Sequence, residues 1–266
     1  MERIHLLGPA RQDLERLVTN GVYVARPEFF ALDGYTQFFK EQVERKEHTV
    51  FLPVYYSYGV DKIEKLALEV RAAAVFLIGH PVLISATERM INRLYKREIN
   101  IIPVLNVSSE NKMEDEYKKL LDMNVSGIGI PVIPSDKGNG DGRIRFIKKL
   151  VLSRKWRLRA HHYLYELENP GELAVYSLMF TSVIKSSLKG VISERCYIDS
   201  RHGISYSTGR GLLAKPIQEY PEPYEYYQQY VQFDLNNEMM RGFIAGRIGR
   251  DIVSDYKEEL YGIRNS

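Results

Sequence analysis

Short apolar runs alternate with amphipathic segments through roughly the first 190 residues of the chain. The clearest runs read VFLPV, AVFLI, INIIPVL and GIGIPVI. Uninterrupted apolar runs of this length are typical of parallel strands that are buried on both faces. The pattern predicts eight strands: Ile4–Leu7, Val22–Ala25, Thr49–Tyr55, Ala74–Ile78, Ile99–Leu105, Gly127–Ile133, Arg157–Leu164 and Thr181–Ile184.

Helical periodicity fills the intervals between these strands. Apolar residues spaced by three or four predict helices at Asp13–Thr19, Asp61–Arg71, Ser85–Lys96, Asp115–Met123 and Arg143–Leu152, and Asn169 before Pro170 predicts the start of another. Eight strands with intervening helices predict the α/β class and a TIM-type (β/α)8 barrel. An open doubly wound sheet stays as an alternative because the second and eighth strand patterns are weak. No Gly-x-Gly-x-x-Gly follows the first strand, and no Walker A sequence is present.

The pattern changes after Gly190. Arg195–Leu213 is predicted as short strands or an ordered loop, and a proline-rich hinge follows at 216–223. Tyr224–Tyr261 then carries helical periodicity on more than one stripe. We therefore divide the chain into a barrel at 1–213 and a helical C-terminal extension at 214–266. One stripe of the extension is expected to cover the barrel and the other to meet a partner subunit in a homo- or hetero-oligomer; the alternative is that one chain buries both.

Composition excludes several classes of protein. The 266 residues are 44% hydrophobic and 27% charged, which is ordinary for a globular domain. A single cysteine excludes an internal disulfide and a zinc site built from several thiolates. The N-terminus has no signal-peptide pattern and no apolar run is long enough to span a bilayer, so we expect a cytoplasmic protein without membrane contact. The net charge of +3 permits a polyanionic partner, and tyrosines crowded into 220–230 are suited to stacking on bases or to pinning a helix on the barrel.

Chemistry in such a barrel belongs at the carboxyl ends of the strands and in the loops that follow. That rule gives the candidate catalytic residues Asp33 and Asp199 and the candidate substrate-binding residues Asn106, Gly127, Gly129, His161, Tyr165 and Arg201. Each has a structural alternative: Asp33 as a turn or N-cap residue, the glycines as close-packing positions in a strand, and Asp199 with Arg201 as a salt bridge. No metal-ligand spacing is present, and we expect neither a metal nor a cofactor.

From the fifth strand onward, the order of elements resembles the tRNA-guanine transglycosylase superfamily. The segments that carry the resemblance are IIPVLNV, YKKLLDMNVSGIGI, RLRAHHYLYELENPGEL and SRHGISYSTGRGLL, with LDGYTQF upstream. The likeness covers most of residues 30 to 213 and is closest to the divergent branch that places 7-deazaguanine bases in DNA.

The resemblance implies base exchange in nucleic acid, with DNA favoured over tRNA. A carboxylate attacks the anomeric carbon, guanine leaves, and a 7-deazaguanine-type base displaces the carboxylate. Asp199 is the carboxylate near the family's nucleophile segment, since Ile184 occupies the nucleophile's own position. That departure, and the absence of the family's cysteine-rich zinc site, leave two alternatives open: a catalytically inactive barrel that serves as a binding or scaffold subunit, and an unrelated barrel enzyme that acts on a phosphorylated metabolite.

Overall fold

The computed structural model describes residues 4–5, 22–32, 34–44, 49–55, 57–123, 125–134, 142–152, 161–167, 169–178, 188–209, 211–216, 236 and 239–240. The strands are β1 (Ile4–His5), β2 (Val22–Val24), β3 (Thr49–Tyr55), β4 (Ala74–Ile78), β5 (Asn100–Pro103), β6 (Ile128–Pro131), β7 (His162–Tyr165), β8 (Leu188–Ser193), β9 (Ile204–Gly209) and β10 (Gly211–Pro216). The helices are α1 (Tyr35–Glu44), α2 (Val60–Glu69), α3 (Leu83–Leu94), α4 (Glu110–Asp122), α5 (Gly142–Leu152), α6 (Glu172–Leu178) and α7 (Arg195–Arg201), with 3-10 turns at Pro27–Phe29 and Tyr95–Arg97.

Two parallel sheets form the framework. One has the strand order β2-β3-β4-β5 and the other β1-β8-β7-β6. A parallel bridge between Val104 and Gly129, with Leu105 N–H donating to the Gly129 carbonyl at 3.0 Å, joins the end of β5 to β6. At the other side, β1 contacts β2. The α/β class predicted from the sequence is confirmed.

The strands have two buried faces because their side chains alternate. On one face, Val75 and Leu77 of β4 pack with the apolar sides of the helices. On the other, Phe76 of β4 meets Tyr163 of β7 edge to face, with ring centroids 5.4 Å apart. This second cluster also contains Val24 of β2 and Ile192 of β8, which belong to different sheets. Side chains from both sheets therefore share one interior.

The end of the parallel sheets differs from the prediction. The eighth strand is Leu188–Ser193, whereas the sequence predicted Thr181–Ile184, which lies outside the described residues. The run LKGVIS carries a lysine and a glycine, and this hides its strand character. Arg195–Leu213 was predicted as short strands or a loop, but it begins with helix α7 before the antiparallel hairpin β9-β10.

Within the helical extension predicted at 214–266, residues 214–216 belong instead to strand β10, and three helical residues are described further on. The rest of Tyr224–Tyr261 lies outside the described residues. Asn236 accepts a hydrogen bond from Tyr206 N–H at 2.9 Å and donates one to the Ile204 carbonyl at 2.8 Å. Met240 lies 3.9 Å from the Cys196 sulfur. This part of the extension therefore packs on β9 and α7. No helix in the described ranges is long and apolar enough to cross a bilayer.

Candidate functional site

The carboxyl ends of the parallel strands carry a group of polar side chains above the shared interior. Arg26 lies two residues beyond Val24 of β2, and Glu194 lies two residues beyond Ile192 of β8. Arg26 and Glu194 form an ion pair that joins these two carboxyl ends. Tyr55 ends β3 and Tyr165 ends β7, and their hydroxyl oxygens are 2.9 Å apart. We define the carboxyl-end cluster as Arg26, Tyr55, Tyr165, Glu166, Ser193 and Glu194.

Glu166 has an unusual backbone conformation within this cluster. Its φ of +61° lies in the left-handed region, which is uncommon outside glycine and concentrates at functional sites. Its N–H donates to the Ile192 carbonyl at 2.6 Å, which fixes the turn against β8. The turn brings its carboxylate to 3.4 Å from both the Ser193 hydroxyl and the Glu194 N–H.

The burial of Glu166 favours the protonated form of its carboxyl. Burial raises the pKa of the Glu166 carboxyl to about 7, against the opposing attraction of Arg26, the Ser193 hydrogen bond and the positive charge of Arg143. The side chain is partly exposed rather than sealed. A half-buried carboxyl with this pKa can both accept and donate a proton near neutral pH.

The two tyrosines supply a different kind of group. Burial, followed by the hydrogen bond to Tyr55, raises the pKa of the Tyr165 phenol, so this hydroxyl stays protonated. Tyr165 is 8% exposed while Tyr55 is 43% exposed. The pair therefore presents an aromatic, hydrogen-bonding wall with one face open to solvent.

Of the sequence-predicted site residues that the structure describes, Tyr165 lies in the carboxyl-end cluster. Asn106 lies at the same end of the sheets, but its amide donates to the His80 carbonyl at 2.7 Å and to Glu116 at 3.1 Å. Its side chain therefore ties two loops together. Asp33 lies outside the described residues, so its predicted convergence with Asn106 and Tyr165 on one slot stays a prediction.

Two of the predicted residues lie at the wrong end of the strands. His161 and Gly127 precede β7 and β6, so they are at the amino ends, opposite Tyr165. The prediction started the seventh strand at Arg157 and thus placed His161 near its carboxyl end. In the structure β7 starts only at His162.

The glycine positions are occupied by packing. A β-carbon at Gly127 would lie 2.7 Å from the Tyr163 ring, and one at Gly129 would lie 2.7 Å from a Val104 methyl. The space beside both glycines is thus filled by these two interior side chains. This arrangement corresponds to the close-packing alternative rather than to an open slot for a base.

Asp199 has a different partner from the one predicted. It lies in α7 with no exposed surface, and its two oxygens meet Arg195 at 2.7 Å and the Tyr206 hydroxyl at 2.8 Å. Arg201, the predicted partner, is exposed and lies over the Tyr197 ring at 5.8 Å. Because Asp199 is closed off from solvent beneath the β9 strand, we do not include it in the site.

Sequence reasoning missed Arg26, Glu166 and Glu194. A signal was available for the first two, since Arg26 directly follows the predicted second strand and Glu166 lies two residues after the predicted seventh strand. Glu194 had no such signal, because the eighth strand was predicted too early in the chain. Nothing local in the sequence indicates the left-handed turn at Glu166.

A second concave region lies at the amino ends of the strands. It has a volume of about 590 Å³ and its polar lining residues are Lys96, Glu98, Asn100 and Ser126. Asn100 and Ser126 are already hydrogen-bonded to each other at 2.7 Å. This cavity lies at the end of the strands opposite to the carboxyl-end cluster. Across the described ranges, no three acidic, histidine or cysteine side chains are placed to hold a metal ion.

Comparison with known proteins identifies the fold. No family model matches the chain, and no curated protein matches its sequence. Among solved structures, L-ribulose 3-epimerase is similar at 8% identity with a TM-score of 0.50, over 100% of both chains. A putative dihydrodipicolinate synthetase from Pseudomonas aeruginosa is similar at 11% identity with a TM-score of 0.50, over 98% of this chain and 82% of that one.

A third structure is N-(5'-phosphoribosyl)anthranilate isomerase from Pyrococcus furiosus, at 9% identity with a TM-score of 0.49, over 91% of this chain and 99% of that chain. The three have TIM-barrel folds, and none is a transglycosylase. The two likenesses with a TM-score of 0.50 show the α/β fold alone.

Proposed function

We propose that the two parallel sheets form one closed eight-stranded barrel. Three observations support closure: the Val104–Gly129 bridge between the sheets, the contact between β1 and β2, and the shared interior in which Phe76 meets Tyr163. The likeness to TIM-barrel structures supports the same conclusion. The carboxyl-end cluster then occupies the mouth of the barrel, where barrel enzymes hold their substrates.

We propose further that the protein is an enzyme that transfers a proton on a small polar substrate in this mouth. The observation that carries the proposal is the position of Glu166 at the carboxyl end of β7, where a left-handed turn brings its carboxylate beside Ser193 and Glu194. Burial there raises the pKa of this carboxyl to about 7. A group that is partly protonated at neutral pH serves as a general base and, after it has taken the proton, as a general acid. The left-handed turn holds it in place.

Other members of the cluster have supporting roles in this proposal. The Tyr165 hydroxyl, kept protonated by burial, donates to a substrate oxygen on which negative charge develops. The Arg26–Glu194 ion pair fixes the wall beside Glu166 and keeps a positive charge near its carboxylate. The polar and charged lining supports an enzyme rather than an inactive scaffold barrel.

Base exchange in nucleic acid remains a second proposal. Glu166 and Glu194 place two carboxyl groups at one mouth, and a base-exchange reaction needs one carboxylate as nucleophile and a second acid for the leaving base. The exposed Tyr55 ring offers a surface on which a guanine-type base can stack. In this second proposal the partners are DNA or RNA and a modified guanine-type base, and Glu166 and Glu194 replace Asp33 and Asp199.

A cytoplasmic location is part of the proposal. The single cysteine of the chain, Cys196, is buried against Met240, and such sparing use of cysteine fits a reducing compartment.

An isotope-exchange experiment distinguishes these functions. The protein is incubated in D2O with aldoses, ketoses and 2-oxo acids, whose acidic C–H bonds report proton transfer without knowledge of the product, and deuterium uptake is measured by mass spectrometry. A parallel reaction offers labelled guanine with guanine-containing DNA and tRNA. The matched variants are Glu166→Gln and Glu88→Gln, the latter at an exposed position of α3.

We expect the parent and Glu88→Gln to introduce deuterium and Glu166→Gln to be slower by about 100-fold or more, the usual contribution of a general base. Guanine incorporation that depends on Glu166 would instead establish base exchange. If neither reaction occurs with the parent, or if Glu166→Gln retains the parent rate, the enzymatic proposal is wrong.

A further inference from the structure

Arg143 is a fully buried arginine on the helix beside the site. It is the second residue of α5 and is 1% exposed. Its position depends on Gly142, where a β-carbon would collide with the carbonyl oxygens of Ile133 and Pro134. The glycine therefore lets the first turn of α5 approach the loop after β6 closely enough for the guanidinium to reach under the ends of β6 and β7.

The guanidinium donates to backbone carbonyls on two strands. Nη1 lies 3.2 Å from the Ile130 oxygen, 3.2 Å from the Tyr165 oxygen and 2.9 Å from the Glu166 oxygen. Since Nη1 has two hydrogens, at least one is shared between two of these acceptors. The other contacts hold the charge in place: Nη2 lies 2.8 Å from Glu172, and Nε donates to the Tyr176 hydroxyl at 3.2 Å.

The contacts with Tyr165 and Glu166 are specific to the site turn. Two consecutive carbonyls point at the same guanidinium because the backbone reverses at Glu166, whose φ is +61°. A residue other than glycine adopts this conformation at a cost in free energy, which contacts such as those of Arg143 offset. Arg143 binds the turn through the Tyr165 and Glu166 carbonyls, whereas the Glu166 carboxylate lies beside the Ser193 hydroxyl and the Glu194 N–H.

We propose that Arg143 is a positioning residue: its guanidinium holds the Tyr165–Glu166 turn in the left-handed conformation that presents the Glu166 carboxylate to the barrel mouth. This inference rests on the proposed function of Glu166 and assigns a role in that site to a residue outside the mouth. It differs from a purely structural role, in which Arg143 joins α5 to α6 through Glu172 and Tyr176 and has no effect on Glu166.

The test uses three variants and two readouts. Arg143→Lys keeps the positive charge but loses the planar group that reaches several carbonyls. Arg143→Met removes the charge as well. Arg145→Met is the matched control, since Arg145 is exposed on the same helix. The first readout is the titration of Glu166 by carbon-13 NMR of carboxyl-labelled glutamate, assigned with Glu166→Gln. The second is the deuterium-exchange reaction, with kcat and KM determined separately.

We expect Arg143→Lys to lower kcat by about 10- to 100-fold with KM little changed, the scale on which a small misplacement of a catalytic group acts. In Arg143→Met the titration midpoint of Glu166 should also rise above that of the parent, because a positive charge that lowers its pKa has been removed. Arg145→Met should match the parent in both readouts.

The inference is wrong if folded Arg143→Met leaves the Glu166 midpoint unchanged, or if Arg143→Lys keeps the parent kcat and the parent carboxyl chemical shift. Should Arg143→Met fail to fold, Arg143→Lys decides by these two readouts. The two proposals fail separately. A parent midpoint near 4.5 contradicts the proposed role of Glu166, whereas a midpoint near 7 that does not respond to Arg143 contradicts only the positioning role.

Discussion

At the residue scale, burial and charge act in opposite directions on the carboxyl group of Glu166. Removal from water favours the protonated form, while Arg26, Ser193 and Arg143 favour the ionised one, and burial is the larger effect. A carboxyl outside a folded protein has its ordinary pKa of 4.5. The folded protein therefore binds this proton more tightly than the unfolded chain does. By linkage, ionisation of Glu166 at neutral pH lowers the free energy of unfolding.

This linkage predicts how Glu166→Gln changes stability with pH. The stabilisation from the proton on Glu166 is fully present below pH 4.5 and is lost as the pH rises through about 7. Glutamine has the same shape as glutamate and does not ionise. The free energy of unfolding of the variant should therefore increase by on the order of 1–3 kcal/mol relative to that of the parent as the pH rises across this window. Urea unfolding at a series of pH values measures the difference.

The control for this experiment is Glu88→Gln, at an exposed position. Its free energy of unfolding should follow that of the parent across the same range. If Glu166→Gln differs from the parent by the same free energy of unfolding at neutral pH as near pH 4.5, the pKa of Glu166 is not raised in the folded protein, and burial is not its dominant influence.

At the element scale, β7 contributes Tyr165 to the proposed site and packs on both of its faces. Tyr163 and Tyr165 belong to the interior cluster, while Leu164 packs with the helices. His162 also lies on the helix side, where its Nε2 is 2.8 Å from the Tyr117 hydroxyl and its ring stacks on the Tyr117 ring at 5.9 Å. His162 is therefore a core residue that joins β7 to α4.

The His162 contact predicts an acid-dependent loss of stability. Burial, with a smaller effect of neighbouring His161, lowers the pKa of the His162 imidazole from 6.5 to about 3. The stabilisation from this neutral imidazole is present above pH 6.5 and is lost as the pH falls toward 3, because the unfolded chain takes up the proton first.

We expect His162→Gln to lower stability at neutral pH, since it removes the stacked ring. The substitution should also make the loss of unfolding free energy on acidification smaller by on the order of 1–3 kcal/mol. Thermal unfolding followed by circular dichroism at several pH values measures both effects. His161→Gln, at the exposed neighbouring position, is the control and should keep most of the acid-dependent fall. Equal acid sensitivity of His162→Gln and the parent would contradict the burial of a neutral His162.

At the scale of the whole molecule, the sequence predicts best the two inner strands of the β2-β3-β4-β5 sheet. Ala74–Ile78 and Thr49–Tyr55 have the predicted bounds in the structure. All five residues of Ala74–Ile78 are buried, so nothing polar interrupts the pattern. Leu188–Ser193 lies on the same framework but includes Lys189 and Gly190, and an apolar run earlier in the chain gave a stronger signal.

The site was less predictable than the framework for a physical reason. The rule that chemistry follows the carboxyl ends of strands brought out Tyr165, but it does not separate a residue that joins loops, such as Asn106, from one that faces the mouth. The role of Glu166 depends on a left-handed turn, on burial beneath β8 and on Arg143, which lies 23 residues away in sequence. None of these three has a local sequence pattern.

The carboxyl-end cluster forms only because the two sheets meet. Arg26 and Tyr55 come from one sheet, and Tyr165, Glu166 and Glu194 come from the other. The Arg26–Glu194 ion pair and the Tyr55–Tyr165 hydrogen bond both cross between them. The proposed active site is thus assembled where the two sheets meet, and the burial that raises the pKa of Glu166 depends on this arrangement.

The titration of Glu166 in the intact protein is the most direct test of its burial in the proposed site and of its proposed role in proton transfer. Carbon-13 NMR of carboxyl-labelled glutamate, with Glu166→Gln to assign the resonance, gives the pH at which this one carboxyl ionises. We expect a midpoint near pH 7, because both sheets bury the Glu166 carboxyl beside Arg26 and Ser193. A midpoint near 4.5 would show a solvated, ordinary carboxyl and would contradict both the assembled mouth and the proton-transfer function.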